Sequence, residues 1–131
     1  MITDKLVKPS EKFSFRARLN SFSYAWAGLV HFFKTEHNAQ VHLASTILVI
    51  VLSLVLGVDR TESMILLFAI VLVWITEMLN TAIEKAMDFI TTDHHRTIKI
   101  IKDVSATAVL VASIAALIAG AFIFIPKIIS L

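Results

Sequence analysis

From Trp74 to Asp88 the chain reads WITEMLNTAIEKAMD, its first three residues closing an uncharged run from Ser63 to Thr76. At 100° per residue, Glu77, Asn80, Glu84 and Asp88 fall within an arc of about 80° on one helix face. Met78, Leu79, Ile83 and Met87 fall outside it. The spacing predicts a polar stripe that starts inside an apolar layer and runs to its edge. Carboxylate oxygens suit Mg²⁺, which keeps waters and is held through one or two acids together with substrate phosphates. A deep carboxylate such as Glu77 can also act as base toward an alcohol. Lysines, here Lys99 and Lys102, meet phosphates as point charges. Those residue types together point to phosphoryl transfer onto an alcohol held in lipid.

The elements that carry these groups are apolar. Of 131 residues, 57% are hydrophobic and the mean hydropathy is +0.82, more than the interior of a soluble domain this size can hide. Three runs stand out: Leu43 to Val58, Ser63 to Thr76 with the stripe following it, and Val104 to Pro126. A span needs about 20 residues, which predicts an all-α membrane protein with spans near 40–57, 63–86 and 104–125. Ahead of them, SEKFSFRARLNSFSYAWAGLVHFFK mixes Arg and Lys with Phe, Tyr and Trp. That mixture predicts an amphipathic interfacial helix near 13–34, basic groups toward water and rings at the boundary. Residues 1–12, with Pro9, read as a flexible lead, and 13–131 as a single integral-membrane domain.

Charge orients the chain. Of 12 Lys and Arg, six precede the first span and four lie around the connection between the second and third; only Arg60 and Lys127 fall elsewhere. The positive-inside tendency then places the N-terminus in the cytoplasm and the C-terminus outside. It also gathers Glu36, His37, His42, Glu77, Glu84, Asp88, Asp93, His94, His95, Lys99, Lys102 and Asp103 at one membrane edge. The basic residues flank hydrophobic runs, so nucleic acid is not an expected partner. With no cysteine and no regular histidine spacing, a thiolate or dedicated zinc site is not expected. Glycine occurs only at 28, 57 and 120, too few for a phosphate-cradling loop. Any nucleotide must be held by side chains on helices.

Over about residues 16–128 the sequence resembles the small prokaryotic diacylglycerol kinase family. EMLNTAIEKAMD is similar to that family's E-x-x-N-[ST]-A-I-E-x-x-x-D signature, KDVSATAVL to the block opening its third span, and EHNAQVH to the entry of its first. The resemblance implies three membrane helices per subunit, ATP and Mg²⁺, a membrane lipid alcohol as acceptor, and a homotrimer with sites between subunits. It implies Glu77 as catalytic base and Glu36 and Glu84 as acids holding the metal on the nucleotide. It further implies nucleotide-contacting positions at Tyr24, Asp93, His94, His95, Lys102 and Asp103, with Asn80 as a polar site residue. No such role carries over to Arg16 or Arg18.

Two features depart from or refine the pattern. Ser105 and Thr107 stand in a block that usually contains glycine, an expectation of altered helix packing. The tail FIFIPKI, the RTE at 60–62 and the E-x-N-x-x-x-H entry are more similar to the undecaprenol kinase branch, which favours undecaprenol over diacylglycerol. An ion-coupled transporter subunit with Glu77 as its ion site is a competing reading, and it requires polar groups through the full membrane depth. A non-catalytic scaffold is another, and it leaves the stripe without a purpose.

Overall fold

The computed structural model describes residues 14–91 and 95–130, which form four α-helices; no strand occurs among them. The chain divides into two compact units, one ending at Thr35 and the other running from Glu36 onward.

In the first unit, α1 (Phe15–Thr35) starts where the Ser14 hydroxyl accepts from the Ala17 backbone amide, satisfying an orphan donor of the first turn. Its surface carries Arg16, Arg18 and Lys34 together with exposed Phe15, Phe22, Tyr24 and Trp26. Basic side chains and exposed rings on one helix are what an interfacial helix presents to headgroups.

The second unit contains α2 (His37–Leu56), α3 (Arg60–Ile90) and α4 (Arg96–Ile129). All three are long and apolar enough to cross a membrane. Gly57 ends α2 at φ 61, ψ 57, a left-handed conformation that costs a residue without Cβ little, and Val58 N–H returns to the Ser53 carbonyl. Asp59 then opens α3 through a capping box: its carboxylate accepts from Glu62 N–H, and the Glu62 carboxylate accepts from Asp59 N–H. So short a connection forces α2 and α3 to run side by side.

Cross-helix bonds fix the register. Trp74 Nε1 donates to Thr46 Oγ1 at 3.1 Å, and Lys85 Nζ meets Glu36 Oε1 at 2.7 Å. Between α3 and α4, Lys127 pairs with Glu62 at one end and Lys102 with Asp88 at the other. Positions fall along one helix as they rise along its neighbour, so both pairs are antiparallel. The most extensive packing is α3 on α4. Leu66, Ile123 and Phe124 form its core toward the Gly57 end, with Val49, Leu52, Leu56 and Val58 against them.

The spanning segments also satisfy their own polar groups. Ser45, Thr46, Ser53, Thr76 and Thr107 each donate a hydroxyl to the carbonyl four residues earlier. Lipid supplies no competing partner, so internal satisfaction is required there. The leucine, isoleucine, valine and phenylalanine side chains pointing outward along α2, α3 and α4 are apolar surface that a bilayer accommodates. The helices outrun the apolar stretches because the polar stripe continues α3 without a break, as far as Ile90.

Candidate active site

Four residues of the stripe meet four different surroundings. Glu77 is 2% exposed and Asn80 6%, while Glu84 is half-buried and Asp88 exposed. Burying a carboxylate this deeply is costly unless partners offset it. Among the described residues, Glu77 nevertheless has no hydrogen-bond partner for Oε2. The closest ionisable group to it is His42 of α2, with Nε2 at 3.7 Å, an electrostatic contact too long to be a hydrogen bond. From sequence, Glu77 had no evident counter-charge. The antiparallel pairing of α2 and α3 supplies His42 from the second turn of α2.

Asn80 joins α3 to α4. Ser105 Oγ lies 2.7 Å from Asn80 Oδ1 and donates to it, and Asn80 Nδ2 donates to Glu84 Oε1 at 3.0 Å. Ser105, 8% exposed, stands in the block expected to pack differently for want of glycine. Its small side chain still fits the helix contact, and its hydroxyl gives the amide a fixed orientation. Thr107 turns its hydroxyl back to the Asp103 carbonyl and remains exposed.

These groups line a cavity of about 370 Å³, with Glu77, Asn80 and Glu84 from α3, Asn38 and His42 from α2, and Ser113 from α4. A second, larger groove of about 480 Å³ runs from there toward Gly120 and Phe124 between apolar side chains. His42 and Ser113 line both, so the polar cavity and the apolar groove share a neck.

The remaining candidates are distributed around this centre. Glu36 is the N-cap residue of α2 but its side chain makes no cap bond; it reaches Lys85 of α3 instead. Lys102 Nζ donates to Asp88 Oδ1 at 2.9 Å, and Asp103 pairs with Lys99 one turn away on the α4 surface. His95 caps α4, its Nδ1 accepting from Thr97 N–H. Glu36, Lys102, Asp103 and His95 are not among the cavity residues. Tyr24 belongs to the first unit, where it is 73% exposed. Asp93 and His94 lie outside the described residues. Among the described residues, no three His, Asp or Glu side chains converge to hold a metal by themselves.

A buried carboxylate under a polar cavity that opens on an apolar groove can take a proton from an alcohol whose chain lies in lipid. Residues 23–124 match the model of the prokaryotic diacylglycerol kinase family. The chain belongs to that family. It is similar to a diacylglycerol kinase of Synechocystis sp., 37% identical over 128 residues, covering 95% of this chain and 73% of that one. It is equally similar to an undecaprenol kinase of Bacillus subtilis, 37% identical over 107 residues and covering 82% and 87% of the two chains. A diacylglycerol kinase of Escherichia coli is 32% identical over 100 residues, covering 76% and 82%. Membership in the prokaryotic diacylglycerol kinase family makes this chain a membrane-embedded bacterial lipid kinase, for which ATP is the phosphoryl donor. Every helix of the second unit lies largely within the matched stretch, so the cavity belongs to the family's common part and not to an appendage.

His42, Ser105, Lys85 and the Trp74–Thr46 pair were not singled out as site residues from sequence. The three-residue turn brings His42 to within about one helical turn of the depth of Glu77, but the rotation of each helix, which decides the contact, is not readable from the sequence. Ser105 carried no such signal, because a lone serine in an apolar helix most often bonds its own backbone.

Proposed function

We propose that this lipid kinase phosphorylates undecaprenol in preference to diacylglycerol, using Mg²⁺-bound ATP at sites completed between subunits of a homotrimer. The observation that carries this reading is buried Glu77 in the lining of a cavity that shares His42 and Ser113 with the apolar groove. The groove suits a hydrocarbon chain, and the cavity suits the hydroxyl at its end. Glu77 takes the hydroxyl proton as the oxygen attacks the γ-phosphorus. The bond to the β–γ bridging oxygen breaks, and ADP leaves. Burial excludes water, which would otherwise compete with the lipid as acceptor.

Asn80, fixed by Ser105 and bonded to Glu84, orients the acid nearest the phosphates. Glu84 and Glu36 would offer the hard carboxylate oxygens that Mg²⁺ prefers, the cation completing its shell with phosphates and water. The metal would offset charge on the transferring group. Lys102, with Tyr24, Asp93, His94, His95 and Asp103, contacts the nucleotide in this reading. Residues 13–131 act as one domain. The cavity end faces the cytoplasm of a bacterial cytoplasmic membrane, with the N-terminus inside and the C-terminus outside, as the Lys and Arg distribution favours.

Undecaprenol is preferred on the chemistry of the surroundings. A glycerolipid brings ester carbonyls that a specific site would meet with donors. Along the groove that would hold the chain the side chains are mainly apolar, Val73 and Trp74 among them, and the Trp74 indole N–H is already bonded to Thr46. The experiment is a comparison of kcat/KM on undecaprenol and diacylglycerol in one lipid matrix. Higher efficiency on undecaprenol is the expected result; a clear preference for diacylglycerol would reverse the assignment of acceptor.

A further inference from the structure

A base that accepts a proton in each turnover must lose it before the next. For Glu77 that is a physical difficulty, because its side chain is 3% exposed and Oε2 has no hydrogen-bond partner. Among the described residues, no bonded group is in place to carry the proton away from that oxygen. His42 Nε2 is 3.7 Å from it, a gap that a small ring rotation or one bridging water closes. The His42 side chain is 19% exposed, so it stands between the buried carboxyl and the open part of the cavity.

The imidazole is also held in place. Its ring meets Trp74 edge-on, centroids 6.2 Å apart and planes at 66°. Trp74 donates its indole N–H to Thr46, and the Thr46 hydroxyl donates to the His42 carbonyl at 2.8 Å. This closed bracket across α2 and α3 keeps the ring beside Glu77. Facing His42 in the cavity are two titratable groups, Glu77 and Glu84, both from α3. From α4 come apolar side chains and Ser113, and from α2 itself Asn38 and Val41. Imidazole is the side chain that most readily exchanges a proton near neutrality.

We infer that His42 is a relay and positioning residue, acting through Glu77 and not on the substrate. It takes from the Glu77 carboxyl the proton removed from the acceptor hydroxyl, and gives it to water at the cavity mouth. The first transfer restores the carboxylate and leaves an imidazolium; the second restores neutral imidazole and releases one proton per turnover. This inference rests on the kinase reading and adds to it a path for the proton.

The test begins with phosphate transfer by the wild-type protein, then by His42→Ala and His42→Gln. No transfer by wild type overturns the kinase reading and the relay with it. With wild type active, both variants should lose about tenfold or more in kcat while KM for ATP and lipid stay within about twofold. Added imidazole should restore His42→Ala, and substituted imidazoles should restore it in proportion to their basicity. A purely structural role would not show that dependence. Circular dichroism confirms that each variant is folded; if His42→Ala is not, His42→Gln must show the kcat loss together with a larger solvent deuterium isotope effect. Wild-type kcat in either folded variant overturns the relay, as does rescue indifferent to basicity or a loss confined to KM for ATP.

Discussion

Ser105 of α4 donates a 2.7 Å hydrogen bond to Asn80 Oδ1 of α3, and both residues are buried. This side-chain bond ties α3 to α4 beside the cavity. Removing one partner of such a pair leaves a polar atom unsatisfied, at a cost of about 1–3 kcal/mol. Ser105→Ala should therefore lower the midpoint of denaturation in detergent and reduce turnover by freeing Asn80 to rotate away from Glu84. In combination with Asn80→Ala the two losses should not add, because both break the same contact. Fully additive losses would show that the bond carries no energy.

Glu36 and Glu84 are assigned to the nucleotide-bound metal. Glu36→Gln and Glu84→Gln should each raise the Mg²⁺ concentration needed for half-maximal rate, besides lowering the rate itself. Folding should survive in the first, because Lys85 is half exposed and such an ion pair contributes only about 0–1 kcal/mol. Titration of activity against Mg²⁺ at fixed ATP decides it. An unchanged metal requirement in both variants would remove these acids from the metal.

The proposed orientation rests on the sequence positions of the 12 Lys and Arg, ten of which precede the first span or flank the connection between the second and third. Reporter fusions at Arg60 and at Leu131 should both report the outer side. A cytoplasmic signal from either position contradicts the assigned topology.

The helical membrane fold was legible in the sequence because lipid imposes a simple rule: about 20 apolar residues per span, bounded by charge. The stripe was legible because helical periodicity places Glu77, Asn80, Glu84 and Asp88 on one face whatever they touch. What they touch was not. His42 reaches Glu77 only through the register that Gly57 and Asp59 impose on α2 and α3. Ser105 reaches Asn80 only through the packing of α3 on α4. The resemblance implies Glu36 as a metal-holding acid, and only the fold shows that its carboxylate lies against Lys85. Pairwise contacts of this kind depend on the rotation of each helix about its axis, which apolar composition on nearly every face leaves undetermined.

The central claim is that a buried glutamate acts as base in phosphoryl transfer to a lipid alcohol. The most direct measurement is transfer of the γ-phosphate of ATP to undecaprenol by purified wild-type protein and by Glu77→Gln, at saturating ATP and lipid. The substitution keeps shape and polarity while removing the basic oxygen. Wild type should form undecaprenyl phosphate and ADP in equal amounts, and Glu77→Gln should bind nucleotide as wild type does but turn over about 10²–10⁴-fold more slowly. A variant that keeps more than about a tenth of the wild-type rate would contradict the claim, since the loss then falls below what a general base contributes.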